Sequence, residues 1–148
     1  MQTTECRLPD DTPSAKKIVK ILENSKRIAV VGISPKTSRD SNSVARYLLE
    51  QGYEVIPVNP GQERILERTC YRTLEDIPFS VDMANLFINP TRVPSTVEQC
   101  IRIGVKTIWM QLGIVHNNAA LKARNAGIEV IMNRCIMREH QNMTGDRG

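Results

Sequence analysis

The sequence contains no apolar run that approaches the roughly 20 residues of a membrane-spanning helix, so a membrane protein is not expected. The segment from Met1 to Lys17 is polar and lacks the apolar centre of a secretory signal, which predicts a cytoplasmic location. No C-x-x-C spacing occurs among the four cysteines, Cys6, Cys70, Cys100 and Cys135. A zinc ribbon, a dithiol redox centre or another metal site is therefore not expected, and the thiols should be free in a reducing compartment.

Aromatic residues do not alternate with the basic ones, and the basic residues are scattered along the chain. This pattern argues against a nucleic-acid partner. The formal net charge of +4 favours an anionic ligand only slightly, because a solvated surface carrying a few extra lysines explains it equally simply. The 148 residues suit a single domain over 1–148, with a core at about 14–140 and flexible termini.

Five apolar runs have the length and composition of strands buried on both faces. They span Ile28–Ile33, Tyr53–Val58, Val81–Ile88, Val105–Leu112 and Ile128–Met132. Helical patterns begin at caps near Thr12-Pro13, Ser41–Ser43, Thr91 and Asn117, and the tail from Ile136 either frays or forms one more helix. This alternation predicts an α/β fold, a Rossmann-like doubly wound parallel five-stranded sheet with helices on both faces. We expect the strand order 3-2-1-4-5, with a ligand crevice at the carboxyl ends of strands one and four.

The loop after the first strand, Gly32 to Asp40, is the main functional signal. Gly32 allows close approach of the backbone to a ligand, and the N-terminus of the following helix offers unpaired N–H groups to a phosphate. Lys36 and Arg39 add full positive charges beside that terminus. The alternative interpretation is an ordinary polar connection between a strand and a helix.

Two features that a dinucleotide site requires are missing. The first loop has a single glycine, Gly32, where G-x-G-x-x-G is needed, and the second strand ends in Val58-Asn59-Pro60 with no carboxylate for the ribose hydroxyls. NAD is therefore disfavoured. The longer loop with two cations suits a ligand with more phosphate charge, such as coenzyme A with its diphosphate and 3′-phosphate.

Four segments resemble the stand-alone CoA-binding domain family, which is similar to the N-terminal domain of the succinyl-CoA synthetase alpha subunit. They read VVGIS at 30–34, GYEVIPVNP at 52–60, WMQLG at 109–113 and NRC at 133–135. The resemblance covers roughly residues 14–140, and the second segment is its most specific part. It implies a coenzyme A site and no established reaction.

The resemblance also implies which residues bind the cofactor: a phosphate loop, a turn beside the nucleotide, and the ends of the third, fourth and fifth strands. In chain order they are Gly32, Ser34, Lys36, Arg39, Val58, Asn59, Pro60, Phe87, Gln111 and Arg134. Family members often have arginine after the phenylalanine of the third strand, where this chain has Ile88. Whether Arg92 replaces that arginine stays open at this point.

Other residues that carry reactive groups have simpler structural interpretations. His116 is expected to be a loop histidine, His140 to face solvent in the tail, and Trp109 to pack in the core. Cys135 follows Arg134, and a neighbouring cation can lower the pKa of a thiol, although an inert thiol is the simpler interpretation. Neither Asp82 nor Glu54 has a partner carboxylate, so no acid–base pair is expected.

Two classes of function remain open. The first is a binding module for coenzyme A or an acyl-CoA, acting as a carrier, a sensor or a partner subunit, either as a homodimer or with a partner enzyme. The second is a CoA-dependent acyl transferase or ligase component that needs another chain; an NAD-binding protein is a weaker third. No combination of nucleophile, base and orienting group is visible, which favours a binding module without catalytic activity of its own.

Overall fold

The computed structural model describes residues 14–145. In this part of the chain the strands are β1 (Arg27–Val31), β2 (Glu54–Val58), β3 (Arg64–Ile65), β4 (Arg68–Thr69), β5 (Met83–Leu86), β6 (Thr107–Met110) and β7 (Glu129–Ile131). The α-helices are α1 (Ala15–Asn24), α2 (Asp40–Glu50), α3 (Val93–Ile103), α4 (Asn117–Asn125) and α5 (Ile136–Gly145). Short 3₁₀ turns occupy Leu74–Asp76 and Pro90–Arg92.

Five strands form one parallel sheet, and β3 and β4 form a separate antiparallel hairpin. The expected α/β fold with a Rossmann-like parallel sheet is confirmed. The expected strand order is wrong: the sheet runs β2-β1-β5-β6-β7, so the third long strand pairs with the first, with Ala84 opposite Ala29. Counted over the five long strands, the order is 2-1-3-4-5 rather than 3-2-1-4-5.

Burial explains why β5 lies inside the sheet. All four of its residues are buried, whereas the two edge strands each begin with an exposed glutamate, Glu54 in β2 and Glu129 in β7. Charged residues at sheet edges are typical because an edge strand meets water on one side. The winding of the chain therefore reverses between β1 and β5, and the crevice lies at the carboxyl ends of these two strands instead of strands one and four.

Helices cover both faces of the sheet. On one face Ile28 and Val30 of β1 belong to a core with buried residues of α1, α2 and α5, and on the other Ala29 and Val31 join residues of α3 and α4. The continuous apolar runs of the sequence are explained by this double coverage. None of the helices within residues 14–145 is long and apolar enough to cross a membrane.

Capping residues shift some helix starts relative to the sequence prediction. Ser14 caps α1 by accepting a hydrogen bond from the Lys17 N–H at 3.1 Å, while the predicted cap at Thr12-Pro13 lies outside the described residues. Asn89, rather than Thr91, caps the turn that leads into α3: its Oδ1 accepts from the Thr91 N–H at 3.0 Å.

The tail from Ile136 forms α5, and His140 does not face solvent as expected. The residue is only 6% exposed, its Nδ1 lies 2.7 Å from the Tyr47 hydroxyl, and its ring packs edge-on against Tyr47 and Tyr53. Ile136 and Met143 place apolar groups on the same side of α5, so this helix has a face to bury against α1 and α2. Because His140 lies between Ile136 and Met143 on α5, this amphipathic spacing buries it.

The three described cysteines are free thiols, while Cys6 lies outside the described residues. Cys70 and Cys100 are buried, and burial raises the pKa of the Cys100 thiol to about 12. Cys135 is half-buried.

Candidate functional site

The crevice is built around Gly32, which directly follows β1. Its φ of +85° lies in the left-handed region, and a Cβ here would stand 2.2 Å from the carbonyl oxygen of Phe87. The Gly32 N–H donates to the carbonyl of Val58 at 2.9 Å. This residue therefore brings the carboxyl ends of β1, β2 and β5 together in a way that no larger side chain permits.

A central cleft of about 410 Å³ opens above Gly32. It is lined by Gly32, Ser34, Ser38, Arg39, Asp40, Ser41, Phe87, Ile88 and Ile114. The N-terminus of α2 faces it, and the first helical hydrogen bond runs from the Ser43 N–H to the Arg39 carbonyl. Arg39 occupies the N-cap position, and its side chain, which has no acceptor, does not cap the N–H groups of the first turn. These N–H groups can therefore donate to a ligand.

The loop from Gly32 to Asp40 is held in place by the helix that follows it. Ser41 Oγ accepts a hydrogen bond from the Ser34 N–H at 2.9 Å, and Asn42 Nδ2 donates to the Ser34 carbonyl at 2.9 Å. Ser34 Oγ in turn accepts from the Lys36 N–H at 3.1 Å. These contacts fix the loop backbone at the edge of the central cleft.

The two predicted loop cations differ in position. Arg39 lines the central cleft, while Lys36 is exposed and the described lining does not include it. Asp40, next to Arg39, also lines the cleft. Its carboxylate stabilises the start of α2 through the helix dipole but repels an anionic ligand at the same place. Sequence reasoning did not consider Asp40.

The turn after β2 supports the crevice mainly through the hydrogen bonds of Asn59. Asn59 Nδ2 donates to the Ile33 carbonyl at 2.8 Å, and Asn59 Oδ1 accepts from the Gly61 N–H at 2.7 Å. The Asn59 amide nitrogen thus ties the turn to the first loop, and its amide oxygen stabilises the turn itself. Val58 is buried and contributes to the wall behind Gly32.

A small hairpin cavity of about 70 Å³ extends the central cleft past Gly32 and Ile88. Its lining includes Pro60, Arg72 and Arg92. Arg92 therefore lies at the crevice, as a replacement for the family arginine requires. Arg72 was missed by sequence reasoning, since it lies in the polar connection with no motif around it. A groove of about 460 Å³ continues from Pro60 and Arg72 along the hairpin.

An inner cavity of about 280 Å³ joins the central cleft on the opposite side, through Asp40, Phe87 and Ile114. The remaining lining residues are Ser43, Val44, Gln111, Leu112, Cys135, Met137 and Arg138. Gln111 is 3% exposed and donates from Nε2 to Asn85 Oδ1. Cys135 thus belongs to the crevice, whereas sequence reasoning left its exposure undecided.

Arg134 is not among the residues that line these four cavities. Its Nη1 pairs with Glu139 Oε2 at 3.3 Å, and its carbonyl accepts from Trp109 Nε1 at 2.8 Å. Arg134 therefore connects the end of β7 to α5 and to the core. Trp109 itself is fully buried in the core, as expected.

The other residues with reactive groups have structural contacts. His116 Nδ1 accepts from the Ala119 N–H at 3.1 Å and caps α4. Asp82 accepts from the N–H groups of Lys26 and Arg27, and Glu54 pairs with Arg27. Within residues 14–145 no group of three histidine, cysteine or acidic side chains is placed to hold a metal ion.

A further cleft of about 760 Å³, the amino-edge cleft, lies at the opposite edge of the sheet, where the strands begin. Lys16, Lys17, Lys20 and Lys106 line it together with Asp82 and Glu129. Glu129 pairs with Lys17 at 2.7 Å. This cleft has no glycine turn and no strand carboxyl ends, so the crevice around Gly32 is the better candidate for nucleotide binding.

A family model described as a CoA binding domain matches residues 26–141, the greater part of the chain. The chain belongs to the CoA binding domain family. The matched region includes every residue that lines the central cleft, the hairpin cavity and the inner cavity. The uncharacterized protein YneT of Bacillus subtilis is similar over nearly its full length, with 35% identity over 128 residues, 86% of this chain and 95% of that protein.

Solved structures and larger enzymes contain the same domain. A hypothetical protein from Pyrococcus horikoshii OT3 superposes with a TM-score of 0.89 at 43% identity, covering 96% of this chain and 100% of that one. The alpha subunit of acetate–CoA ligase (ADP-forming) I from Pyrococcus furiosus is 36% identical over 93 residues. Those residues are 59% of this chain but 20% of the ligase subunit, so the CoA binding domain spans a small part of that enzyme.

Proposed function

We propose that this protein binds coenzyme A or an acyl-CoA in the crevice around Gly32, as a carrier, a sensor or a partner subunit. The observation that carries the proposal is the uncapped N-terminus of α2, which faces the central cleft beside Arg39 and directly above Gly32. A helix N-terminus with an adjacent cation is a suitable site for a phosphate group.

The shape and charge of the crevice fit a long ligand with several phosphates. The inner cavity, the central cleft, the hairpin cavity and the groove along the hairpin adjoin one another through shared residues. Arg39 lies in the middle, and Arg72 and Arg92 lie on the hairpin side. We propose that the phosphates lie between these arginines, and that the pantetheine arm enters the inner cavity toward Cys135.

NAD fits the same crevice less well. In NAD-binding sites a carboxylate at the end of the second strand accepts hydrogen bonds from the ribose hydroxyls, and this chain has Asn59 there. Asn59 cannot replace it without cost, because its two polar groups already bond to Ile33 and Gly61. Binding of NAD would leave the ribose hydroxyls without their usual acceptor.

Membership of a ligase is a second candidate function, favoured by the match to the ADP-forming acetate–CoA ligase subunit. Such a role requires another chain, because neither described histidine is placed in the crevice to act as a nucleophile or base: His116 caps α4 and His140 packs against Tyr47. The free described thiols agree with the cytoplasmic location expected from the sequence, which stays a prediction, as does assembly as a homodimer.

Calorimetric titration of the purified protein with coenzyme A, acetyl-CoA and NAD tests the proposal. We expect saturable binding of coenzyme A or acetyl-CoA and at least tenfold weaker binding of NAD, a difference of about 1.4 kcal/mol. Equal or tighter binding of NAD would show that the proposal is wrong. Thioester turnover in the presence of cell extract, but not without it, would favour the ligase-component alternative.

A further inference from the structure

A buried amide pair lies next to the inner cavity, between β5 and β6. Asn85 is fully buried, and its Oδ1 accepts a hydrogen bond from Gln111 Nε2. Asn85 Nδ2 is the one fully buried side-chain nitrogen or oxygen without a hydrogen-bond partner among the residues that the structure describes. Sequence reasoning singled out Gln111 and gave no role to Asn85.

The position of Asn85 is unfavourable for stability alone. It lies opposite Val30 on β1 and Trp109 on β6, in the middle of an apolar face. A buried donor without an acceptor destabilises the folded state, and an apolar side chain of similar shape would avoid that loss. Packing therefore does not explain an asparagine at this position. Its hydrogen bond to Gln111, which lines the inner cavity, indicates a role at that cavity instead.

The contact with Asn85 fixes the orientation of the Gln111 carboxamide. Gln111 Nε2 is turned toward Asn85, so Gln111 Oε1 is turned away from it. Gln111 Oε1 has no hydrogen bond within the described residues, and it is not fully buried. Gln111 also lines the inner cavity. An oxygen with this environment is an acceptor that is open to a ligand in the cavity.

We propose that Asn85 is a positioning residue, which holds Gln111 so that its Oε1 accepts an amide N–H from the pantetheine arm of coenzyme A. This inference rests on the proposed function. The pantetheine arm has two secondary amides that can donate to this oxygen, whereas the phosphate groups have no such donor, so the contact suits the arm rather than the phosphates. Gln111 is the residue that touches the ligand, and Asn85 acts through it.

The test compares two ligands on the same protein: coenzyme A, and adenosine 3′,5′-bisphosphate, which lacks the arm. We expect Asn85→Leu and Gln111→Leu each to weaken coenzyme A about 3- to 10-fold, as loss of one neutral hydrogen bond predicts. The affinity for the bisphosphate should stay within about twofold of wild type, because neither side chain contacts the nucleotide. Asn85→Asp keeps an acceptor for Gln111 Nε2 and should preserve the wild-type ratio of the two affinities.

Thermal unfolding separates this role from a structural one. The double variant Asn85→Leu/Gln111→Leu removes both amides together, so we expect its melting temperature to equal or exceed that of the wild type while the preference for coenzyme A is lost. This variant also provides the measurement if either single variant fails to fold.

The possible failures are distinguishable. An unchanged ratio of the two affinities in the double variant, with wild-type protein binding coenzyme A, would overturn the positioning role and leave the proposed function standing. If wild-type protein binds neither ligand, the proposed function fails and this inference fails with it.

Discussion

Gly32 shows how a single residue determines the shape of the crevice. Its left-handed φ and the 2.2 Å approach of a Cβ to the Phe87 carbonyl are two separate reasons for glycine. Asn59, Ser41 and Asn42 have a similar supporting role, because their side chains bond to the loops that surround the central cleft. The resemblance to a family pointed to Asn59 as a binding residue, but its side-chain contacts are within the protein.

Replacing Gly32 by alanine tests the steric reason. We expect Gly32→Ala to lower the free energy of unfolding by about 2–5 kcal/mol, since backbone strain and overpacking add together. Gly104→Ala is the matched control: Gly104 has a φ of +77°, but a Cβ there would meet no atom within 4 Å, so a loss of about 1–2 kcal/mol is expected. Denaturant unfolding measures both. Equal losses in the two variants would show that the Phe87 contact is not limiting.

Arg39 and Asp40 are adjacent residues of opposite charge in the central cleft. We expect Arg39→Ala to weaken coenzyme A about tenfold or more, because a charge-assisted contact contributes about 1.5–3 kcal/mol. Asp40→Asn should strengthen binding, and Lys36→Ala should have a smaller effect than Arg39→Ala because Lys36 lies outside the described lining. Lys20→Ala, at the opposite edge of the sheet, is the control. Calorimetric affinities that respond equally to Arg39→Ala and Lys20→Ala would mean that the phosphate site lies elsewhere.

Cys135 lines the inner cavity, whereas Cys70 and Cys100 are buried. We expect iodoacetamide to modify Cys135 in the folded protein and coenzyme A to slow that reaction. Cys70 and Cys100 are internal controls, since burial raises the pKa of each thiol and hides it from the reagent. Peptide mass spectrometry gives the rate for each thiol. A Cys135 that reacts no faster than the two buried thiols, or reacts at the same rate with coenzyme A present, would refute its placement beside the ligand.

At the scale of elements, hydrophobic runs and turn residues predicted the five sheet strands and the main helices from the sequence, with small shifts at their ends. The strand order could not be predicted in this way, because pairing depends on tertiary contacts between segments far apart in the chain. The exposed residues Glu54 and Glu129 at the edge strands were the available signal. The burial of His140 was not predicted, because the apolar face that Ile136 and Met143 give to α5 lies in a short and otherwise polar tail.

Asp82 joins the starts of two sheet strands and gives a pH-dependent contribution to stability. Burial alone would raise the pKa of Asp82. The N–H groups of Arg27 and Lys26, each at 2.9 Å, together with the positive charges of Lys106 and Arg27, outweigh burial and lower that pKa. The stabilisation is therefore complete above the unfolded pKa of about 3.9 and is lost as the pH falls through the lower folded value.

Asp82→Asn should reveal this contribution. We expect the variant to be less stable than the wild type by about 1 kcal/mol at pH 7, with the difference shrinking as the pH falls below about 4. Glu54→Gln is the control, because its exposed pair with Arg27 should contribute little. Denaturant unfolding at several pH values provides the comparison. A difference between Asp82→Asn and wild type that does not change with pH would contradict the assignment.

At the scale of the whole molecule, the reversal of winding between β1 and β5 places the first loop, the α2 N-terminus and Phe87 around one crevice. Seven of the ten predicted site residues line the cavities of this crevice: Gly32, Ser34, Arg39, Val58, Pro60, Phe87 and Gln111. The other three are Lys36, Asn59 and Arg134. The sequence could not show that they lie outside the lining, because side-chain direction decides whether a residue near a strand end faces the crevice. Asp40 was given no role for the same reason, whereas Arg72 was missed because it lies in the polar connection with no motif around it.

Coenzyme A is proposed to bind at the carboxyl edge of the sheet. The most direct measurement is a titration of ¹⁵N-labelled protein with coenzyme A, followed by amide chemical shifts. We predict saturable shifts at Gly32, Ser41 and Phe87, with Lys20 and Lys106 at the opposite edge unaffected. Shifts confined to the amino-edge cleft, or no shifts at millimolar coenzyme A, would contradict the claim.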